Sequence, residues 1–194
     1  MKSHQIEFDG RELRYFDAYD TDHLGMFAQA RQQQRLCVTV GPTGFGKTTF
    51  FEYACASCFS ARLLPIMSYV GRYGFDDIGG SVARVLNIAT SLAPTEYLSV
   101  AFYPKSAQAA QDTGGDTWQD TIAAIDHVLL GLKKRSLLQR LAGLEISVEP
   151  EFVDIYEDIR ALAQQRGWCL LEFRQWDEKM QRAYMDFVMG LGER

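Results

Sequence analysis

Three glycines, a lysine and three threonines are crowded into one short stretch, Gly41-Pro42-Thr43-Gly44-Phe45-Gly46-Lys47-Thr48-Thr49. The spacing is G-x-x-x-x-G-K-[ST], the pattern of a loop that cradles phosphate. The chemistry accounts for each residue type. A β- or γ-phosphate needs several donors at once, and glycines let the backbone curl and turn its N–H groups inward. Lys47 supplies a point charge for the β- and γ-phosphates. The Thr48 hydroxyl is suited to Mg²⁺, and Thr49 to the α-phosphate. The whole run Gly41 to Thr49 is therefore the candidate nucleotide-binding segment.

Such a loop must sit between a strand and a helix whose N-terminus points at the anion. Arg35 to Val40 reads as a buried strand, and Thr48 to Ser60 as a helix without Gly or Pro. The same alternation continues. "ARLLPIMSYVG" reads as a strand which Pro65 assigns to an edge or a bulge. "FDDIGGSVARVLNIATSLAP" is helical up to Pro94, and Glu96 to Pro104 is a strand. "KSAQAAQDTGGDT" reads as a small-residue loop. The next long helical stretch has Gly131 as a break and Gly143 as its stop. "LEISVEP" is a strand ending at Glu149, "EFVDIYEDIRALAQQRG" an amphipathic helix, "WCLLEFRQ" a strand and "DEKMQRAYMDFVMGLG" a final helix. Ahead of all this, Asp9-Gly10 between two β-prone runs signals a hairpin. A short helix capped by Thr21 or Asp22 follows. The expected fold is α/β, a mostly parallel sheet flanked by helices, with a short N-terminal β-hairpin. Residues 1–34 form the hairpin and short helix, and 35–194 the nucleotide-binding core.

"GPTGFGKTT" is the Walker A form, and it resembles the loop of secretion, pilus and conjugation ATPases, P-loop NTPases of the RecA-like type. Phe45 departs from that family, which carries a small residue there. The resemblance implies ATP and Mg²⁺, with a metal carboxylate at the end of a neighbouring strand. In "LEISVEPEF" the candidates are Glu149 for the metal, beside Thr48, and Glu151 for polarising water. Leu144 to Gln175 looks like the back half of a RecA-like core, with Gln175 or Arg174 as the polar sensor. Pro150 stands where the family's catalytic Glu would follow, and the acids here also suit a helix start. Asp76 and Asp77 form a second metal candidate, though capping a helix explains them as well. Arg135, Arg140, Arg166 and Arg174 are the candidates for an arginine finger acting on a neighbouring subunit.

The remaining features argue for bland roles. The 194 residues carry a net charge of −5, which disfavours a surface devoted to nucleic acid. One basic cluster, Lys133-Lys134-Arg135, leaves a local nucleic-acid contact open. Cys55-Ala-Ser-Cys58 lacks the second pair a zinc site needs. Cys37 and Cys169 fall in strands as small core residues. His4, His23 and His127 show no metal or triad spacing, and Trp118, Trp168 and Trp176 suit the core. The opening stretch is too polar for a signal peptide, and no apolar run reaches membrane-spanning length, so a cytoplasmic setting is expected. Three functions remain in play. One is an Mg-dependent ATPase that acts on a protein partner or as a homo-oligomer. Another is a nucleotide-binding regulatory module without turnover. The last is a transferase using S-adenosylmethionine or acyl-CoA. The absence of N-K-x-D disfavours a GTPase.

Overall fold

The computed structural model describes residues 2–17, 19, 21–67, 78–174 and 177–189. Strands β1 (Lys2–Phe8) and β2 (Arg11–Asp17) form the expected hairpin, with Phe8 opposite Arg11. Asp9 and Gly10 both have positive φ, 52° and 70°, as a two-residue primed turn requires. Helix α1 (His23–Gln32) follows, and the Asp22 side chain caps it by accepting from the Gly25 amide. From there strands and helices alternate: β3 (Cys37–Gly41), α2 (Lys47–Phe59), β4 (Arg62–Met67), α3 (Ile78–Thr90) and β5 (Glu96–Phe102). Then come α4 (Ala107–Thr113), α5 (Trp118–Lys134), a 3-10 turn (Leu138–Arg140), β6 (Leu141–Ser147), α6 (Val153–Arg166), β7 (Cys169–Glu172) and α7 (Glu178–Val188).

The five core strands run parallel in the order β4-β5-β6-β3-β7. Pro65 lies on β4, an edge strand, where its missing N–H costs least. Parallel strands need helical crossovers on both faces, and two apolar layers result. On one face Val38, Val40, Val100, Leu144 and Ile146 meet α3, α5 and α6. On the other Cys37, Leu171 and Phe173 meet α1, α2 and the hairpin through Phe27, Phe50, Phe51 and Tyr15. Each large apolar side chain buried this way contributes roughly 1.5–3 kcal/mol. The hairpin and α1 thus share the second layer with the core, and an Asp9–Arg62 ion pair adds a surface tie to β4.

Several expected boundaries move. Gly143 is not a helix stop but lies inside β6, which starts at Leu141 and ends at Ser147. A Cβ on Gly143 would lie 2.3 Å from Phe51 Cζ and 2.5 Å from the Cys37 carbonyl oxygen, so close packing of α2 on the sheet demands the glycine. Gly131 does not break α5. It is buried in the helix, where a Cβ would meet Leu86 Cδ1 at 2.5 Å. The stretch expected to be loop holds α4, whose first turn Ser106 caps by accepting from the Ala109 amide. β5 ends at Phe102 rather than Pro104. Asp76, Asp77, Gln175 and Trp176 lie outside the described residues.

Candidate functional site

The C-terminal ends of parallel strands, where α/β folds collect their ligands, converge here on one cleft of about 360 Å³. β3 runs straight into the glycine loop, β6 contributes Glu145 and Ser147, β4 contributes Met67, and Tyr103 and Phe173 stand just past β5 and β7. Residues Thr43 to Thr49 line the floor of the cleft.

Gly44 and Gly46 have φ of 87° and 82°, values that a side chain disfavours. Gly46 is the N-cap of α2 and makes no side-chain cap bond. The first-turn amides of Lys47, Thr48 and Thr49 have no carbonyl within their own helix to bond, which is the arrangement that favours an anion. Lys47 is buried, at 4 % exposure, and its Nζ donates to the carbonyls of Gly41 (2.9 Å) and Pro42 (2.6 Å). Burial pulls its pKa down to about 8, while Glu145 and Glu149 pull it back up. A phosphate oxygen offers this ammonium a full charge in place of two carbonyl dipoles.

The carboxylate that meets Thr48 is Glu145. Thr48 Oγ1 donates to Glu145 Oε2 at 2.6 Å, and Ser99 Oγ donates to Oε1 at 2.6 Å. Glu145 is 3 % exposed and sits in register with Thr39 on β3, one strand from the loop. Thr48 from α2 and Ser99 from β5 satisfy both carboxylate oxygens, as a buried charge requires. Motif spacing points to Glu149 and not to this residue. Its signal was present: a lone acid inside the apolar strand "LAGLEIS" needs partners.

Glu149 and Glu151 lie beyond the end of β6, and both are exposed. Glu149 lies within electrostatic reach of Lys47, and its carbonyl accepts from the Phe152 amide in the turn that leads to α6. Phe45 lines the cleft and packs against the aromatic layer beneath.

Of the four arginines considered as fingers, three sit at the opposite end of the sheet. Arg135 donates to Gly131 O, Arg140 binds the carbonyls of Ala93 and Glu96, and Arg166 pairs with Asp126. Arg174 stands past the C-terminal end of β7, its side chain 79 % exposed, with Glu172 at 3.9 Å. Lys133, Lys134 and Arg135 are exposed at the C-terminal end of α5, away from the glycine loop. Cys55 is buried and Cys58 exposed on α2, and Cys37 and Cys169 face each other across β3 and β7 as free thiols. Among the described residues no helix is long and apolar enough to cross a membrane.

No family model and no curated protein matches the sequence. Solved structures do. The chain is similar to AMPPCP-bound DnaA from Aquifex aeolicus, with 17% identity and a TM-score of 0.47 over 90% of this chain and 53% of that one. It is similar to a chain of the E. coli MS115-1 HORMA:CdnC:Trip13 complex, with 17% identity and a TM-score of 0.44 over 87% and 65%. It is also similar to Aeropyrum pernix ORC2 in its ADPNP and ADP complexes, with 11% identity and a TM-score of 0.48 over 87% and 50%. The chain thus spans between half and two thirds of each of these proteins. Likeness at this level carries no statement about chemistry.

Proposed function

We propose that the chain binds ATP with Mg²⁺ on the loop Gly41–Thr49 and hydrolyses it to act on a macromolecular partner. The observation that carries this reading is the Thr48–Glu145 hydrogen bond beside the buried Lys47, at the mouth of a glycine loop. The donor set suits magnesium. Mg²⁺ takes one or two hard protein oxygens and fills its remaining positions with water and phosphate oxygens. Thr48 Oγ1 and Glu145 Oε2 are two such oxygens at one point, and Ser99 fixes the carboxylate from behind. The bound ion would neutralise charge on the β- and γ-phosphates. Lys47 exchanges its two loop carbonyls for those phosphates, and the first-turn amides of α2 hold the remaining oxygens. Glu149, exposed and within electrostatic reach of Lys47, is our first choice for orienting water now that Glu145 meets Thr48; Glu151 stays a candidate for polarising water and Gln175 for the polar sensor.

Two observations favour a reading without turnover. Past the end of β5 the cleft meets Tyr103, not a carboxylate, and Glu149 lies on a turn rather than on a strand. Single-turnover phosphate release separates the two. Release by the wild type that Lys47→Ala and Glu145→Gln both abolish supports hydrolysis at this site. Tight ATP binding with no release leaves a nucleotide-binding regulatory module. The partner side of the proposal is a protein or a second copy of the chain, with Arg174, of the four candidate fingers, the one at the nucleotide end of the sheet. The exposed Lys133, Lys134 and Arg135 are the site we assign to any nucleic-acid contact.

A further inference from the structure

The cleft extends beyond the phosphate loop, and its outer wall is aromatic. Strand β2 contributes Tyr15 and Phe16, the segment after it Tyr19, and helix α7 contributes Tyr184 and Phe187. The rings touch one another across the two elements. Phe16 lies 5.7 Å from Tyr184 and 5.4 Å from Phe187, centroid to centroid, and Tyr19 lies 5.3 Å from Phe173. Helix α7 has no buried residue along its described length; Met185 and Val188 on it are exposed, as is Met189 just past its end. Its aromatic contacts with Phe16 therefore join it to the hairpin at the rim of the cleft.

We propose that Phe16 of the hairpin and Tyr184 and Phe187 of α7 form a one-sided clamp, an aromatic wall on which the nucleobase stacks without its edge being read, so that ATP and GTP bind alike. The proposal rests on the phosphate reading above, and it assigns the other half of the same ligand. Stacking accepts every base, because each has a π-face. Side-chain edge reading requires matched donors and acceptors, such as those of Asn, Gln, Arg or a free carboxylate. Among the described residues lining the cleft there is no Asn, Gln or Asp; the single carboxylate, Glu145, is already held by Thr48 and Ser99, and the single guanidinium, Arg14, is paired with Glu12. A base inserted beside Phe16 also ties α7 to the hairpin, so the helix becomes more protected when the site is filled.

The test titrates the wild-type chain, in Mg²⁺, with ATP, GTP and inorganic tripolyphosphate, and repeats the series with Phe187→Ala and Phe16→Ala. Phe187 is half-buried on a surface helix, so its loss spares the core. ATP and GTP should bind within about threefold of each other, and tripolyphosphate roughly tenfold more weakly than either. Phe187→Ala should weaken both nucleotides by roughly tenfold and leave tripolyphosphate unchanged. Amide exchange over residues 178–188 should slow with ATP or GTP and not with tripolyphosphate. The clamp is overturned if tripolyphosphate binds as tightly as ATP, if GTP binds about a hundredfold more weakly, or if Phe187→Ala weakens all three ligands equally. Failure of all three ligands to bind, tripolyphosphate included, removes the phosphate reading and the clamp with it.

Discussion

His23 gives a quantitative handle on how α1 is seated against the element that carries the phosphate loop. The residue opens α1, is 2 % exposed, and lies among Tyr19, Phe50 and Phe173, with ring centroids 5.0, 6.1 and 4.9 Å away. Phe50 belongs to α2 and Phe173 follows β7, so the imidazole spans the layer beneath the loop. Its Nδ1 has no hydrogen-bond partner among the described residues, and burial lowers its pKa from 6.5 to about 4 against a weaker upward pull from Asp22. The folded state therefore binds fewer protons than the unfolded state between pH 6.5 and 4, and stability falls as pH drops through that window. At about 1.4 kcal/mol per pH unit, the full effect is about 3 kcal/mol below pH 4, and about 2 kcal/mol has already gone at pH 5. Asp17, whose pKa burial raises, contributes with the opposite sign, so the wild-type profile alone is a mixture. A His23→Phe variant isolates the histidine. Urea unfolding at pH 7.5 and 5, followed by the emission of the buried Trp118 and Trp168, should show the wild type losing about 2 kcal/mol more than the variant. Equal losses in the two proteins would mean that His23 is not buried in neutral form, and the packing of α1 on α2 would have to be redrawn.

Nucleotide affinity should depend on the protonation of Lys47. With its pKa near 8 in the free protein, binding favours the charged form, so affinity should fall about tenfold between pH 7 and 9. Titration calorimetry showing a flat profile to pH 9 would mean that the ammonium is not desolvated. Gly143→Ala should destabilise the fold by about 1–3 kcal/mol or more, because the new methyl meets a backbone carbonyl and the Phe51 ring. Gly131→Ala should cost less, since Leu86 can turn aside and alanine favours helix over glycine by about 1 kcal/mol. Denaturant midpoints for the two variants give the comparison, and a reversed order would contradict the packing described for β6.

What the sequence made legible was local. The glycine turn from Gly41 to Gly46, the strand before it, the helix after it and the hairpin turn at Asp9-Gly10 are each specified by neighbouring residues, and all appear in the structure. Gly143 misled because a glycine after a helical run usually ends it. Its real neighbours, Phe51 and the Cys37 carbonyl, come from far along the chain. Glu145 escaped for the same reason: it reaches Thr48 through the parallel register of β6 with β3, across 97 residues of sequence. The acids nearest a strand's end by spacing, Glu149 and Glu151, lie two and four residues past the end of β6. The aromatic wall is likewise a tertiary product, joining Phe16 to Tyr184 and Phe187 from the two ends of the chain.

The most direct test of the central claim is ATP binding in the presence of Mg²⁺, measured by calorimetry on the wild type and on Lys47→Ala. A charged hydrogen-bond partner removed from a buried phosphate contact costs about 2–5 kcal/mol, so the variant should bind at least about thirtyfold more weakly. Equal affinity in the two proteins, or no binding by the wild type, would contradict the assignment of Gly41–Thr49 as the phosphate cradle.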